Sequence, residues 1–134
     1  MQKRETFHTM KTSLTFGLTH LAIAVRDVNR TLRFYQKIFQ MEVMYHEANM
    51  IQLTTPGCND ILVFEEREGP TGQTGGIAHF GFRLRDANSI STIAASIKEA
   101  GAKVIDEGEF VPGSPYIFFQ DPDGYIIEVW YELV

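Results

Sequence analysis

Three side chains of this 134-residue sequence have the chemistry to hold a divalent cation together: His20, His79 and Glu128. Two imidazoles and one carboxylate form a facial set that leaves coordination positions open. That set suits Fe(II), Mn(II), Zn(II) or Ni(II). Glu128 stands in the run YIIEVWYEL, where Ile126, Glu128 and Trp130 share one strand face and Tyr125, Ile127 and Val129 the other. A carboxylate in so apolar a strand is costly to bury without a partner. A metal cation is one such partner. Arg83 or Arg85 is the other candidate.

The histidines occupy equivalent places in a weak internal repeat. Residues 17–27 read GLTHLAIAVRD and residues 76–86 read GIAHFGFRLRD. At a constant offset of 59, Gly17/Gly76, His20/His79, Arg26/Arg85 and Asp27/Asp86 are identical, and Ala22 faces Gly81 as small for small. Each copy opens as a strand. Leu21, Ile23 and Val25 alternate with His20, Ala22 and Ala24, and Phe80, Phe82 and Leu84 alternate with His79, Gly81 and Arg83. Parity puts each histidine on the small-residue face, opposite the bulky row that packs on a helix.

Asp27 and Asp86 then cap helices. Val28, Leu32, Tyr35 and Phe39 fall at helical spacing after the first, and Ile90, Ile93, Ile97 and Ala100 after the second, with Gly101 at its end. Three strands follow each helix, at 42–47, 50–55 and 60–66, then at 103–110, 115–120 and 124–132. Turns fall at Pro56–Asn59 and Asp121–Gly124. The reading is α+β: residues 1–13 a flexible extension, 14–134 one domain, with module one at 14–68, a glycine-rich linker at 69–75 and module two at 76–134. Helices lie outside curved, mostly antiparallel sheets.

Composition narrows the function. Apolar residues make up 44 %, enough for a core. Twelve basic against 17 acidic side chains give a net charge of −5, which argues against nucleic acid as a partner. The longest apolar runs are five or six residues, too short for a bilayer, and no basic amphipathic stretch suits a membrane surface. Cys58 stands alone, so there is neither an intrachain disulfide nor a cysteine zinc cage. A cytoplasmic setting is the expectation.

Setting the end of module one against the end of module two places Phe64 opposite Glu128. Phenylalanine cannot ligate, so three protein ligands are expected rather than a symmetric four. Glu65 would need a one-residue strand shift that turns it to the other face. Glu65 and Glu66 read as solvated charges at a strand end.

The opening GLTHLAIAVRDVNRTLRFYQKIF, the mid-chain GIAHFGFRLRD and the close FFQDPDGYIIEVW resemble the vicinal oxygen chelate superfamily. That group holds glyoxalase I, bleomycin and fosfomycin resistance proteins, methylmalonyl-CoA epimerase and extradiol dioxygenases. The resemblance covers residues 16–132. It implies paired βαβββ modules forming a half-open mixed barrel around one divalent metal held by His20, His79 and Glu128. It also implies a homodimer in which His20 of one chain meets His79 and Glu128 of the other. The metal would bind two vicinal oxygens of a small substrate and polarise them.

The branches of the superfamily differ at positions visible here. Glyoxalase I and the epimerases carry a further ligand near Phe64. Fosfomycin transferases have a threonine where Ala22 stands, and a polar run where GEFVP (108–112) stands. Extradiol dioxygenases have a tyrosine ten residues before the glutamate, where Phe118 stands, with Tyr116 two residues earlier on the same face. Lyase, isomerase or thiol-transferase chemistry is therefore preferred over ring cleavage. Tyr116 and Arg83 are the further catalytic candidates, Arg83 for an anionic substrate. Tyr45 and Gln52 line the first-half pocket; His46 reads as surface, Trp130 as core, and Cys58 has no assigned role. The competing class is a bleomycin-resistance-like module that binds a small molecule without catalysis.

Overall fold

The structure, a computed structural model, describes residues 13–133. The expected flexible extension therefore lies outside the described residues but for Ser13. The elements are β1 (His20–Val25), α1 (Val28–Phe39), β2 (Glu42–Glu47), β3 (Met50–Thr54), β4 (Ile61–Glu66), β5 (Phe80–Arg83), a 3-10 turn (Ala87–Ser89), α2 (Ile90–Glu99), β6 (Val104–Glu109), β7 (Pro115–Gln120) and β8 (Ile126–Trp130).

They form two four-stranded mixed sheets of the same topology, β1-β4-β3-β2 and β5-β8-β7-β6. In each, the first strand pairs in parallel with the last, and the remaining pairs are antiparallel. The repeat read from the sequence is thus a repeat of architecture, and the fold is the expected α+β pair of βαβββ modules with unclosed sheets. No helix among the described residues is long and apolar enough to cross a membrane.

Asp27 caps α1 by accepting from the N–H groups of Asn29 and Arg30. Glu66 adds a second cap, its Oε1 accepting from the Val28 N–H at 3.1 Å, where the helix dipole favours a carboxylate. The second helix starts less abruptly than expected. Asp86 caps a 3-10 turn, and α2 begins four residues after it, at Ile90.

The bulky rows of both sheets and the inner faces of the helices bury one core. Ile23, Val25, Ile51, Leu53 and Phe64 come from one sheet, Ile117, Phe119, Ile127 and Val129 from the other. α1 carries the aromatic links between modules. Phe39 stacks on Phe82 with ring centroids 3.8 Å apart, and Phe34 lies 6.2 Å from Phe119.

The Asp121–Gly124 turn is the second tie between modules. Asp123 Oδ1 accepts from the Arg26 N–H at 2.9 Å and from Arg30 Nη2 at 3.1 Å. The Tyr125 hydroxyl donates to the Ala24 carbonyl at 2.7 Å. The linker docks on the same turn, and a Cβ at Gly72 (φ +72°) would lie 2.5 Å from the Asp123 carbonyl oxygen. Only glycine fits there, because both the left-handed backbone and the close approach exclude a side chain.

Candidate metal centre

The strand registers show which residues share a face with each histidine. In module two, Gly81 pairs with Glu128, Glu128 with Phe118, and Trp130 with both Arg83 and Tyr116. His79 precedes β5 on the Gly81 side. Its Nε2 lies 3.4 Å from Glu128 Oε1, and the glutamate side chain is only 15 % exposed against 42 % for the histidine. The histidine and the half-buried glutamate, expected together from the sequence, are in fact brought together.

Neither arginine competes for Glu128. Arg83 Nη1 pairs with Glu132 Oε2 at 3.1 Å, and Arg85 Nη2 approaches Cys58 Sγ at 3.6 Å. Glu128 thus faces an imidazole, with Gly81 and Phe118 as its cross-strand neighbours. Phe118 sets its ring edge-on to His79, centroids 5.2 Å apart, and limits the ring's freedom. Gly81 provides clearance. A Cβ there would lie 3.0 Å from the Glu128 carbonyl oxygen and 3.7 Å from its Oε1.

His20 stands on the other sheet, exposed, with its Nδ1 3.3 Å from the neighbouring Thr19 hydroxyl. Both histidine faces turn away from the shared core. Among the described residues of one chain, no group of three or more His, Cys, Asp or Glu side chains is placed to hold a metal. His79 and Glu128 form two-thirds of the expected donor set, and His20 is the missing third. The donor pair present fits a divalent cation in chemistry, an imidazole nitrogen and a carboxylate oxygen side by side.

One register differs from the sequence reading. Ala22, the counterpart of Gly81, pairs with Val63, so Val63 and not Phe64 is the counterpart of Glu128. Phe64 pairs with Ile23 and is fully buried in the core. The inference of no fourth ligand at that position holds with valine in place of phenylalanine. Glu65 pairs with Ala24 and so lies on the His20 face without any strand shift. His20 pairs with Ile61, and at the rise of a strand Glu65 is about 13 Å further along. It binds Arg67 instead, at 2.5 Å.

Tyr116 lies two residues from Phe118 on the same face. Its hydroxyl donates to Asp106 Oδ2 at 3.1 Å, and its ring stacks on Phe110 at 4.2 Å. The hydrogen bond to Asp106, then burial, then the charge of Asp106 raise the phenol pKa. The tyrosine therefore keeps its proton at neutral pH. Asp106 and Phe110 went unnoticed in the sequence; the signal is that β6 pairs with β7, which places Asp106 opposite Phe118 and Gly108 opposite Tyr116. In module one, Tyr45 pairs with Gln52 on the His20 face, and its hydroxyl bonds Glu47. His46 pairs with the core residue Ile51 and so faces away from them. Trp130 is half-buried on the Glu128 face, and Cys58 is exposed.

Comparisons with known proteins agree with this architecture. The chain is 28 % identical over 119 residues to a catechol-2,3-dioxygenase of Bacillus subtilis (strain 168), covering 84 % of this chain and 41 % of that one. It therefore spans less than half of that relative's length. It is 28 % identical over 124 residues to an uncharacterized protein of Pseudomonas aeruginosa, covering 85 % of this chain and 87 % of that protein. Among solved structures, it resembles the fosfomycin resistance protein FosX from Listeria monocytogenes, in a mutant form complexed with Mn(II) and 1S,2S-dihydroxypropylphosphonic acid. The TM-score is 0.73 at 24 % identity, over 87 % of this chain and 90 % of that one. A glyoxylase/bleomycin resistance protein/dioxygenase domain from Frankia sp. EAN1pec gives a TM-score of 0.75 at 22 % identity, over 90 % of this chain and 100 % of that one. These structures share the fold. The family model of the Glyoxalase/Bleomycin resistance protein/Dioxygenase superfamily matches residues 17–129, and the chain belongs to that superfamily.

Proposed function

We propose that this protein is a divalent-metal-dependent enzyme acting on a small oxygen-bearing substrate, with each site built from two copies of the chain. The observation that carries the proposal is the His79–Glu128 pair, 3.4 Å apart, with no arginine partner for the glutamate. His20 of one chain would complete the set with His79 and Glu128 of its partner. The Mn(II) of the FosX complex supports a metal of that kind. When bound, the ion supplies a Lewis acid for substrate oxygens.

The chain's own residues do the rest. Phe118, the cross-strand partner of Glu128, sets its ring edge-on to His79 and holds it. Gly81 leaves room for substrate against β5. Tyr116 lies two strand positions from Phe118 and would donate to a substrate oxygen on giving up its bond to Asp106. Arg83 would meet an anionic group, at the cost of loosening its contact with Glu132. Phe118 at the dioxygenase tyrosine position favours lyase, isomerase or thiol-transferase chemistry. Ring-cleaving oxygenation is the second reading, favoured by the likeness to a catechol-2,3-dioxygenase.

The test is metal content by mass spectrometry, before and after loading with Fe(II), Mn(II), Ni(II) or Zn(II), with His79→Ala as control. About one ion per chain, absent from the variant, is expected. No uptake of any ion by the folded protein would refute the metal site and favour a ligand-binding module.

A further inference from the structure

A second cavity, of about 530 Å³, shares no residue with the metal centre. It lies between α1, the α2–β6 connection and the end of β7. Arg30, Arg33 and Lys37 of α1 line it at spacings of three and four, which places them on one helix face. Lys103 lines it from the α2–β6 connection, and Phe34 and Pro122 add apolar surface. An acidic chain thus puts four of its 12 basic side chains around one cavity.

Their charges are only partly spent. Arg30 Nη2 is paired with the buried Asp123, so its charge is the one most nearly spent. Lys37 meets Glu99 at 3.1 Å in an exposed pair, which contributes little. Neither Arg33 nor Lys103 forms an ion pair among the described residues. Asp121 is the one acidic wall residue, and its oxygens already accept from the Tyr35 hydroxyl and the N–H groups of Asp123 and Tyr125. Cations with free donors above an apolar patch suit an anionic head group on a compact apolar body.

We propose that this cavity binds a small organic anion, a phosphate monoester or a carboxylate with a compact apolar body, independently of the metal centre. A volume of this size is that of a small-molecule pocket.

The test is calorimetric titration of the full-length, EDTA-dialysed protein with phenyl phosphate and with phthalate at constant ionic strength. Phenol serves as the uncharged control. Saturable binding of one anion per chain is expected, and the tighter probe identifies the head group. Arg33→Gln and Lys103→Gln should each weaken binding about tenfold. Both side chains are exposed, so the variants should fold. His79→Ala and the surface variant Lys98→Gln should bind as the wild type does. The proposal is overturned if neither anion saturates by about 10 mM, a few kcal/mol of affinity. It is overturned equally if His79→Ala, and not Arg33→Gln, abolishes binding.

Discussion

The bond from the Tyr35 hydroxyl to Asp121 ties α1 to the turn before β8, and Tyr35→Phe isolates its contribution. The ring is fully buried between Phe34, Phe39 and Phe64, so removing one oxygen leaves the packing intact. The lost bond is 2.8 Å long and has a buried carboxylate as acceptor. Bonds to charged acceptors of this kind contribute about 1.5–3 kcal/mol. Burial pushes the Asp121 carboxyl up to about 6 from its ordinary 3.8, while the Tyr35 bond and the two backbone N–H bonds pull it down. Because the folded-state pKa is raised, ionising Asp121 lowers stability, and wild-type stability should rise as pH falls from about 7 towards 4. Losing the tyrosine donor raises that pKa further, so the penalty of Tyr35→Phe applies where Asp121 is ionised. Urea unfolding at pH 8 and at pH 5 measures it. The variant should be less stable by about 2 kcal/mol at pH 8, with the gap narrowing at pH 5. The same gap at both pH values would refute the account of Asp121 as an ionised acceptor held by Tyr35.

Other expectations follow from the packing. Gly72→Ala should cost about 3 kcal/mol, from left-handed strain and the 2.5 Å approach to Asp123, whereas Gly75→Ala, with open space around it, should cost about 1. Chemical denaturation of the two variants side by side checks this. Phe39→Ala removes the ring stacked at 3.8 Å on Phe82 and should destabilise the chain by about 3 kcal/mol in the same assay. A metal at about a hundredfold over its Kd should stabilise the wild type by about 2.7 kcal/mol and leave Glu128→Gln unmoved, as read by thermal unfolding.

The fold was legible where local chemistry is strong. Asp27 followed by a helical apolar period defines α1 at 28–39, both ends as expected. Two strand-to-cap segments that share their glycine, histidine and Arg-Asp positions reveal the duplicated topology. The misplaced register at Phe64 has a physical cause. Ile61 to Phe64 is an unbroken apolar run, as in a strand covered on both faces, and such a run carries no alternation to fix its phase. β8 is shorter than expected because Asp121 binds the N–H groups of Asp123 and Tyr125 and holds 124–125 in the turn. That role of Asp121, and the docking of Gly72 on Asp123, depend on contacts across the chain that no local pattern reports. At the candidate site, parity put His79 on the small-residue face of its strand and Glu128 with Ile126 and Trp130 on its own, and the pairing of Gly81 with Glu128 joins the two faces. Parity left open that Arg83 would find Glu132 and that Tyr116 would find Asp106.

The central claim is a metal site completed across two chains, and recovery of metal binding by mixing two defective variants tests it most directly. His20→Ala and Glu128→Ala are each expected to fold and to bind no metal. Each mixed dimer would pair the intact His20 of one chain with the intact His79 and Glu128 of the other. With free exchange of subunits, about a quarter of wild-type metal content should return. A mixture that remains metal-free, although mixed dimers form, would contradict the shared site.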